Sequence, residues 1–77
     1  MKVKVFPPFG CDRSALDERG WMDLEDSATV GTVLKRIHCS RLKAKLLLVS
    51  VNGVRAGTDR ELKDGDVVGF FLPVTGG

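Results

Sequence analysis

The first residues of the chain alternate between polar and apolar side chains. Val3 and Val5 share one face of an extended segment over residues 1–6, which leaves Phe6 on the other face. Two prolines follow and end this strand, because proline cannot donate a ladder hydrogen bond. After a polar loop, Trp21–Leu24 is predicted to be a second strand that pairs with the first.

The clearest helical pattern lies in the middle of the chain. Apolar side chains recur there at positions i, i+3, i+4 and i+7, which are Val30, Val33, Leu34 and Ile37. Ser27 or Thr29 is the predicted N-cap, since a hydroxyl oxygen can accept a backbone N–H of the first turn. The helix is expected to be short and to end near residues 38–40.

The second half of the chain predicts three further strands. The third strand is predicted over Leu46–Val51, and Asn52-Gly53 predicts a tight hairpin into a short return strand, Val54-Arg55. Residues 58–62 are expected to hold at most one helical turn. The last strand is predicted from Val67 to Leu72, and a proline follows it.

These elements predict an α+β domain with a mixed sheet of four to five strands and one main helix on one face. The face toward the helix is expected to hold Val3, Val49, Val51, Val68 and Phe70. The opposite face then keeps Phe6, Leu48 and Phe71. Exposed apolar patches usually mark binding surfaces, so we expect a protein partner to dock on these three residues. Coverage of the face by lysine stems is the alternative.

The composition is that of one small domain. The chain has 77 residues, of which 43% are hydrophobic and 29% charged, an ordinary balance for a folded protein. We expect a domain over residues 1–72 and a flexible tail over residues 73–77. A core of this size leaves no room for an enclosed active site. No apolar run approaches about 18 residues, and the opening segment does not read as a signal peptide, so the expected location is cytoplasmic.

Few side chains could form a catalytic or metal site. Cys11 and Cys39 lack a CxxC spacing and are expected to be reduced thiols. His38 adjoins Cys39, but adjacent helical side chains diverge by about 100°, so the two cannot act as a pair. We therefore expect no metal site, no permanently bound cofactor and no self-contained enzyme.

The charged residues are clustered, although the net charge is only +2. The basic cluster consists of Lys35, Arg36, Arg41, Lys43 and Lys45. It is either a solvated surface near a helix C-terminus or a docking surface for an acidic partner. A nucleic-acid partner is not expected, because the net charge is small and no aromatic residues lie among the basic ones.

The most specific pattern is the final segment "FFLPVTGG", which follows "VNG" and "LKDGD" earlier in the second half. With the predicted strand order, these segments resemble the MoaD/ThiS-type ubiquitin-like sulfur carriers, whose fold is the β-grasp. The resemblance is sharpest from Leu47 to Gly77. It is closest to the small, sulfur-carrying subunit of molybdopterin synthase and somewhat weaker to the sulfur carrier of thiazole biosynthesis.

The resemblance implies that Gly77 carries the chemistry. An adenylating, ubiquitin-activating-like enzyme would use ATP to adenylate its carboxylate. A sulfur donor such as a cysteine desulfurase or a rhodanese would then convert it to a thiocarboxylate. Pro73, Val74, Thr75 and Gly76 would thread into the synthase large subunit, which uses the sulfur to build the dithiolene of molybdopterin. Gly76 and Gly77 have no side chains and so let the backbone approach the reacting centre. No nucleic acid and no membrane takes part.

Other functions are compatible with the same tail. A sulfur carrier for thiamine thiazole or for a tungsten cofactor would need the same activated carboxylate. A ubiquitin-like modifier would present that carboxylate to lysine amines instead, and a plain β-grasp interaction module would not use it. A β-grasp ferredoxin is excluded, because its cluster needs four cysteines and this chain has two.

Overall fold

The alternating first segment forms strand β1 (Lys2–Phe6), which pairs antiparallel with β2 (Trp21–Asp23). Val3 lies opposite Met22, and both side chains are fully buried. The computed structural model describes residues 1–8 and 10–71. Both predicted strands are confirmed, and β2 ends one residue earlier than expected.

The predicted apolar stripe forms helix α1 (Val30–Arg36), and Thr29 is its N-cap. The Thr29 N–H donates to the hydroxyl oxygen of Thr32 at 3.2 Å. The helix ends at Arg36 rather than near residues 38–40. His38 has a φ of 53°, which lies in the left-handed region and cannot continue a right-handed helix. Ile37, just beyond the last helical residue, is still fully buried.

Residues 58–62 form a turn and an isolated bridge instead of a helical turn. The backbone of this segment forms hydrogen bonds with the first turn of α1. The carbonyl of Thr58 accepts the N–H of Gly31 at 2.9 Å, and the carbonyl of Arg60 accepts the N–H of Val30 at 3.0 Å. The first N–H groups of a helix have no partner within it. This segment holds no helical turn, and two of its carbonyls bind the start of α1 instead.

A second helix, α2 (Arg41–Leu46), connects α1 to the third strand, and the sequence patterns do not predict it. The prediction that the third strand begins at Leu46 is wrong, because Leu46 is the last residue of α2 and β3 spans Leu48–Val51. Ala44 packs against the core and Leu47 is buried. These two contacts attach the short helix to the domain.

Strand β3 continues through a hairpin into β4 (Val54–Ala56), as predicted. Asn52 and Gly53 have φ angles of 54° and 81°, which is the backbone that a type I′ turn requires. Strand β5 (Val67–Phe71) pairs parallel with β1 and antiparallel with β3. The predicted last residue of this strand, Leu72, lies outside the described residues.

The sheet order is β2-β1-β5-β3-β4, a five-stranded mixed sheet with β5 between β1 and β3. This arrangement is the predicted β-grasp, with a second short helix added. The core lies between the sheet and α1 and includes Val3, Met22, Val30, Val33, Ile37, Val51 and Val68. Neither helix in the described part of the chain has the length and apolar character needed to cross a membrane.

Candidate functional site

The face of the sheet opposite the core holds all three residues predicted to contact a partner. Phe6 is 55% exposed, Phe71 is 48% exposed and Leu48 is half-buried. In β5, Val68 is fully buried whereas Val67 and Phe71 are exposed, so successive side chains alternate between the two faces. We call the surface formed by Lys4, Phe6, Leu48, Val67 and Phe71 the open face.

The strand register brings the apolar residues of the open face together at one end of the sheet. Leu48 of β3 is the Cα partner of Phe71 in β5, and Phe6 of β1 is the partner of Gly69. Adjacent side chains on paired strands lie about 5 Å apart at Cβ. Phe6 and Phe71 therefore lie on neighbouring strands, separated along β5 by two positions.

Gly69 lies at the centre of the open face. It is flanked by Phe6 on one side and Ser50 on the other, and by Val67 and Phe71 along its own strand. A Cβ at this position would lie only 3.1 Å from the Ser50 hydroxyl oxygen. The Ser50 side chain thus takes up space that a side chain at position 69 would need, which accounts for a glycine between exposed apolar residues.

Lys4 places a positive charge on the open face. Its Nζ lies 5.9 Å from the ring centroid of Phe6 and 5.5 Å from that of Trp21, within the range of a cation–π interaction. The same ammonium group donates a hydrogen bond to the carbonyl of Arg19. Lys4 therefore links the loop before β2 to both aromatic rings.

Sequence reasoning assigned no role in this surface to Lys4, Trp21 or Val67. The alternation in β1 places Lys4 on the same face as Phe6. The pairing of Lys4 with Trp21 and Val67 depends on the registers of β1 with β2 and β5. The alternation within each strand was available from the sequence, and it also places Val67 on the same face as Phe71. Only the place of Trp21 beside Lys4 required the register between strands.

Asp66 fixes the position of β5 next to the β3–β4 hairpin. One carboxylate oxygen accepts the N–H of Lys63 at 2.8 Å, and the other accepts the Asn52 side-chain amide at 2.9 Å. The Asn52 side-chain oxygen in turn accepts the N–H of Val67 at 2.9 Å. The hydrogen bond from Lys63, followed by that from Asn52, lowers the pKa of the buried Asp66 carboxyl below its ordinary value.

A second carboxylate ties the loop before β2 to the end of α1. An Asp12 oxygen lies 2.9 Å from Nδ1 of His38, and the Asp12 N–H donates to the Ile37 carbonyl at 2.9 Å. The backbone hydrogen bond from Ser14, with a smaller contribution from His38, lowers the pKa of Asp12. The two contacts of Asp12 thus anchor this loop to the C-terminal end of α1.

The remaining reactive side chains do not converge. Across residues 1–8 and 10–71, no three histidine, cysteine or acidic side chains are placed to hold a metal ion. Cys11 and Cys39 are not joined by a disulfide, and both are half-buried. The arrangement that the described residues do build is an apolar, partly cationic surface suited to protein recognition.

The residues predicted to carry the chemistry lie outside the described part of the chain. They are Pro73, Val74, Thr75, Gly76 and Gly77. The last described residue, Phe71, belongs to the open face and is the partner of Leu48. The segment predicted to be the tail therefore follows directly from the end of the open face.

Comparison with known proteins gives a family and a fold. The model of the ThiS family matches residues 16–77. A solved structure from Pyrococcus furiosus, assigned provisionally as subunit 1 of a molybdopterin converting factor, is 32% identical to this chain. The match covers 95% of each chain with a TM-score of 0.62.

A second solved structure shares the fold at lower identity. SAMP1 from Haloferax volcanii is 23% identical over 100% of this chain and 98% of its own, with a TM-score of 0.62. A further solved structure, that of small archaeal modifier protein 1 from H. volcanii, is 22% identical to this chain. The match covers 96% of this chain and 97% of the other, with a TM-score of 0.62. No curated protein matches the chain significantly.

Proposed function

The chain belongs to the ThiS family, and on that premise we propose that it carries sulfur as a thiocarboxylate on Gly77 for the synthesis of molybdopterin. Its general type, a small ubiquitin-like sulfur carrier or modifier rather than a catalyst, follows from the family and the fold. The observation that carries the proposal is the open face. It ends at Phe71, and the segment that the family model matches continues from there to Gly77.

The proposed chemistry starts with activation of a poor electrophile. An oxygen of the Gly77 carboxylate attacks the α-phosphate of ATP on the activating enzyme, and pyrophosphate leaves. Hydrosulfide then attacks the carbonyl carbon of the acyl adenylate, AMP leaves with the bonding electrons, and the sulfur loses its proton. A persulfide donor first gives an acyl disulfide, whose S–S bond a thiol reductant must then cleave. The product is a thiocarboxylate. Both the adenylate and the thiocarboxylate hydrolyse, so the partner must exclude water from the reacting centre.

The domain contributes recognition and reach to this cycle. The apolar side chains of the open face would pack against a partner, and the segment after Phe71 would enter that partner's active site. Six extended residues span about 20 Å, which is enough to pass from a docked surface into a neighbouring site. ATP belongs to the activating enzyme, and the carrier needs no resident cofactor of its own.

Molybdopterin is favoured as the destination of the sulfur by one comparison. The 32% identical protein from Pyrococcus furiosus is assigned to a molybdopterin converting factor. In that pathway the partner is the large synthase subunit, and the sulfur enters the dithiolene. Thiazole or tungsten-cofactor synthesis would use the same thiocarboxylate with a different acceptor.

Protein modification is the second candidate, and the likeness in fold to small archaeal modifier protein 1 is the observation behind it. A lysine amine would attack the acyl adenylate, or a thioester derived from it, in place of sulfur. The two candidates share the activation step and differ in the product, which is a free thiocarboxylate in one case and an amide-linked conjugate in the other.

Intact mass of the protein purified from cells tests the proposal. We expect a species about 16 Da heavier than the unmodified chain, because sulfur replaces one oxygen. A chain with Gly77 deleted should keep the melting temperature of the wild type and lack the heavier species. Full sulfur loading of the deletion variant would contradict the assignment to Gly77. Conjugates in place of the thiocarboxylate would favour the modifier.

A further inference from the structure

Helix α2 presents two leucines to solvent on the side away from the domain. Leu42 and Leu46 are 74% and 61% exposed, and their spacing of four residues places them on one face of the helix. Ala44 lies two residues from each, about 200° around the helix axis, and it packs against the core. The leucines face solvent because the helix is attached by its opposite side.

These leucines contribute little to the stability of the domain. A helix of six residues is too short to be stable alone, and its attachment comes from Ala44 and the buried Leu47. Polar residues at positions 42 and 46 would allow the same fold without exposing apolar area. The neighbouring pair of exposed leucines forms a small apolar patch that a partner could cover.

The charge around the leucines specifies the kind of surface that they fit. Lys45 is exposed and follows Leu42 by three residues, so it flanks both leucines on the helix surface. The sequence of α2 is RLKAKL, with three basic residues and no acidic one. An apolar pocket rimmed by carboxylates is complementary to this pattern. A second copy of the chain would bring like charges together, which disfavours self-association through α2.

The position of α2 places it beside the start of the predicted tail. Leu46 precedes Leu48 by two Cα steps of about 3.8 Å, and Leu48 is the Cα partner of Phe71 at about 5 Å. The Cα atoms of Leu46 and Phe71 are therefore at most about 13 Å apart. A protein that accepts the segment after Phe71 into a channel has its surface within reach of α2.

On these grounds, and resting on the proposed function, we propose that Leu42, Lys45 and Leu46 form a second docking surface for the activating enzyme. The leucines occupy an apolar pocket beside the channel that receives the tail, and Lys45 faces carboxylates on its rim. The activating enzyme is the partner common to sulfur transfer in every pathway considered and to protein modification. The surface is separate from the open face, so the two can be altered independently.

ATP–pyrophosphate exchange by the activating enzyme from the same genome tests this surface, with the full chain as substrate. The double variant Leu42→Ser/Leu46→Ser should raise the KM for the chain by about tenfold or more and leave kcat unchanged. Lys45→Glu should also raise KM and weaken its dependence on salt. The matched control is Val54→Ser, at an apolar residue of β4 that is 62% exposed, and its KM should equal that of the wild type.

The outcomes separate this inference from the proposed function. A KM within twofold of the wild type for both α2 variants overturns the inference while leaving sulfur transfer intact. Weaker binding to the large synthase subunit with unchanged exchange shows that the assigned partner is wrong. Absence of exchange with the wild-type chain contradicts the proposed function and the inference together. If the double variant fails to fold, Lys45→Glu decides alone, because this exposed substitution leaves the core contacts unchanged.

Discussion

At the scale of single residues, the two adjacent phenylalanines of β5 have opposite roles. Phe70 is half-buried and packs against the core, whereas Phe71 lies on the open face. This division could be predicted from the sequence because side chains alternate along a strand. The incomplete burial of Phe70 could not, since it depends on how far α1 and α2 cover that end of the sheet.

Phe70→Ala should lower the free energy of unfolding by ~2 kcal/mol or more, a large fraction of the stability of so small a domain. Phe71→Ala should change stability by less than ~1 kcal/mol but could weaken partner binding by ~2 kcal/mol. Thermal melts and a binding titration with the activating enzyme measure the two effects. The reverse pattern would contradict the assignment of the faces and, with it, the role of Phe6 and Leu48.

Gly76 is predicted to act through its missing side chain. Gly76→Val should slow thiocarboxylate formation, because a branched side chain would hinder passage through a narrow channel. The melting temperature should stay that of the wild type, since the residue follows the last strand of the domain. Gly76→Ala is the matched control, because a single methyl group at the same position should slow the reaction less than the branched side chain of valine. Equal rates for Gly76→Val and wild type would show that the channel is not narrow at this position.

At the scale of secondary structure, the elements whose apolar residues recur at a regular spacing could be predicted from the sequence. Helix α2 has no such regular spacing and could not. Leu46, Leu47 and Leu48 form a continuous apolar run that fits a strand as well as a helix. The exposed Leu42 and Leu46 give α2 no buried stripe facing the core, so no amphipathic pattern marks it. What determines the helix is the contact of Ala44 and Leu47 with the rest of the domain, which is a tertiary effect.

The turn before β5 should make stability depend on pH. The folded-state pKa of Asp66 lies below its ordinary value, mainly because of the hydrogen bond from the Lys63 N–H. The group therefore stabilises the fold above the ordinary aspartate pKa of about 4, and this contribution is lost as the pH falls through the folded pKa. Asp66→Asn should cost ~1–2 kcal/mol at pH 7.

Chemical denaturation of Asp66→Asn and wild type at pH 7 and in acid measures this contribution. The difference in unfolding free energy should begin to shrink below about pH 4, where the carboxylate of the unfolded chain takes up a proton, and should be lost as the pH falls through the lower folded-state pKa. Asp26→Asn removes the same charge from an exposed site and should leave stability nearly unchanged. A difference that stayed constant into acid would mean that the side-chain shape, and not the charge, matters.

At the scale of the whole molecule, the placement of β5 between β1 and β3 creates the open face. Neither the parallel pairing of β5 with β1 nor the register of Phe71 with Leu48 follows from periodicity. Both depend on contacts between residues far apart in the sequence. The placement of Phe6, Leu48 and Phe71 on this face could nevertheless be predicted, because each needs only the alternation within its own strand.

The proposed carrier combines a folded docking domain with a reactive carboxylate at Gly77, beyond the described residues. The domain should not change when the chemistry is removed, and the chemistry should stop when the end of the tail changes. Variants in the core should therefore change stability, and variants on the open face should change binding to either partner. Variants on α2 should change activation by the enzyme, and variants in the tail should change sulfur loading.

The most direct test of the central claim is the intact mass of the chain during reconstituted sulfur loading. The wild-type chain, the activating enzyme, ATP and sulfide are combined, and the mass is followed over time. We expect a gain of about 16 Da that requires ATP and is absent when Gly77 is deleted. Two results would contradict the account. One is an unchanged mass although the enzyme consumes ATP in the presence of the chain, and the other is an equal gain in mass in the deletion variant.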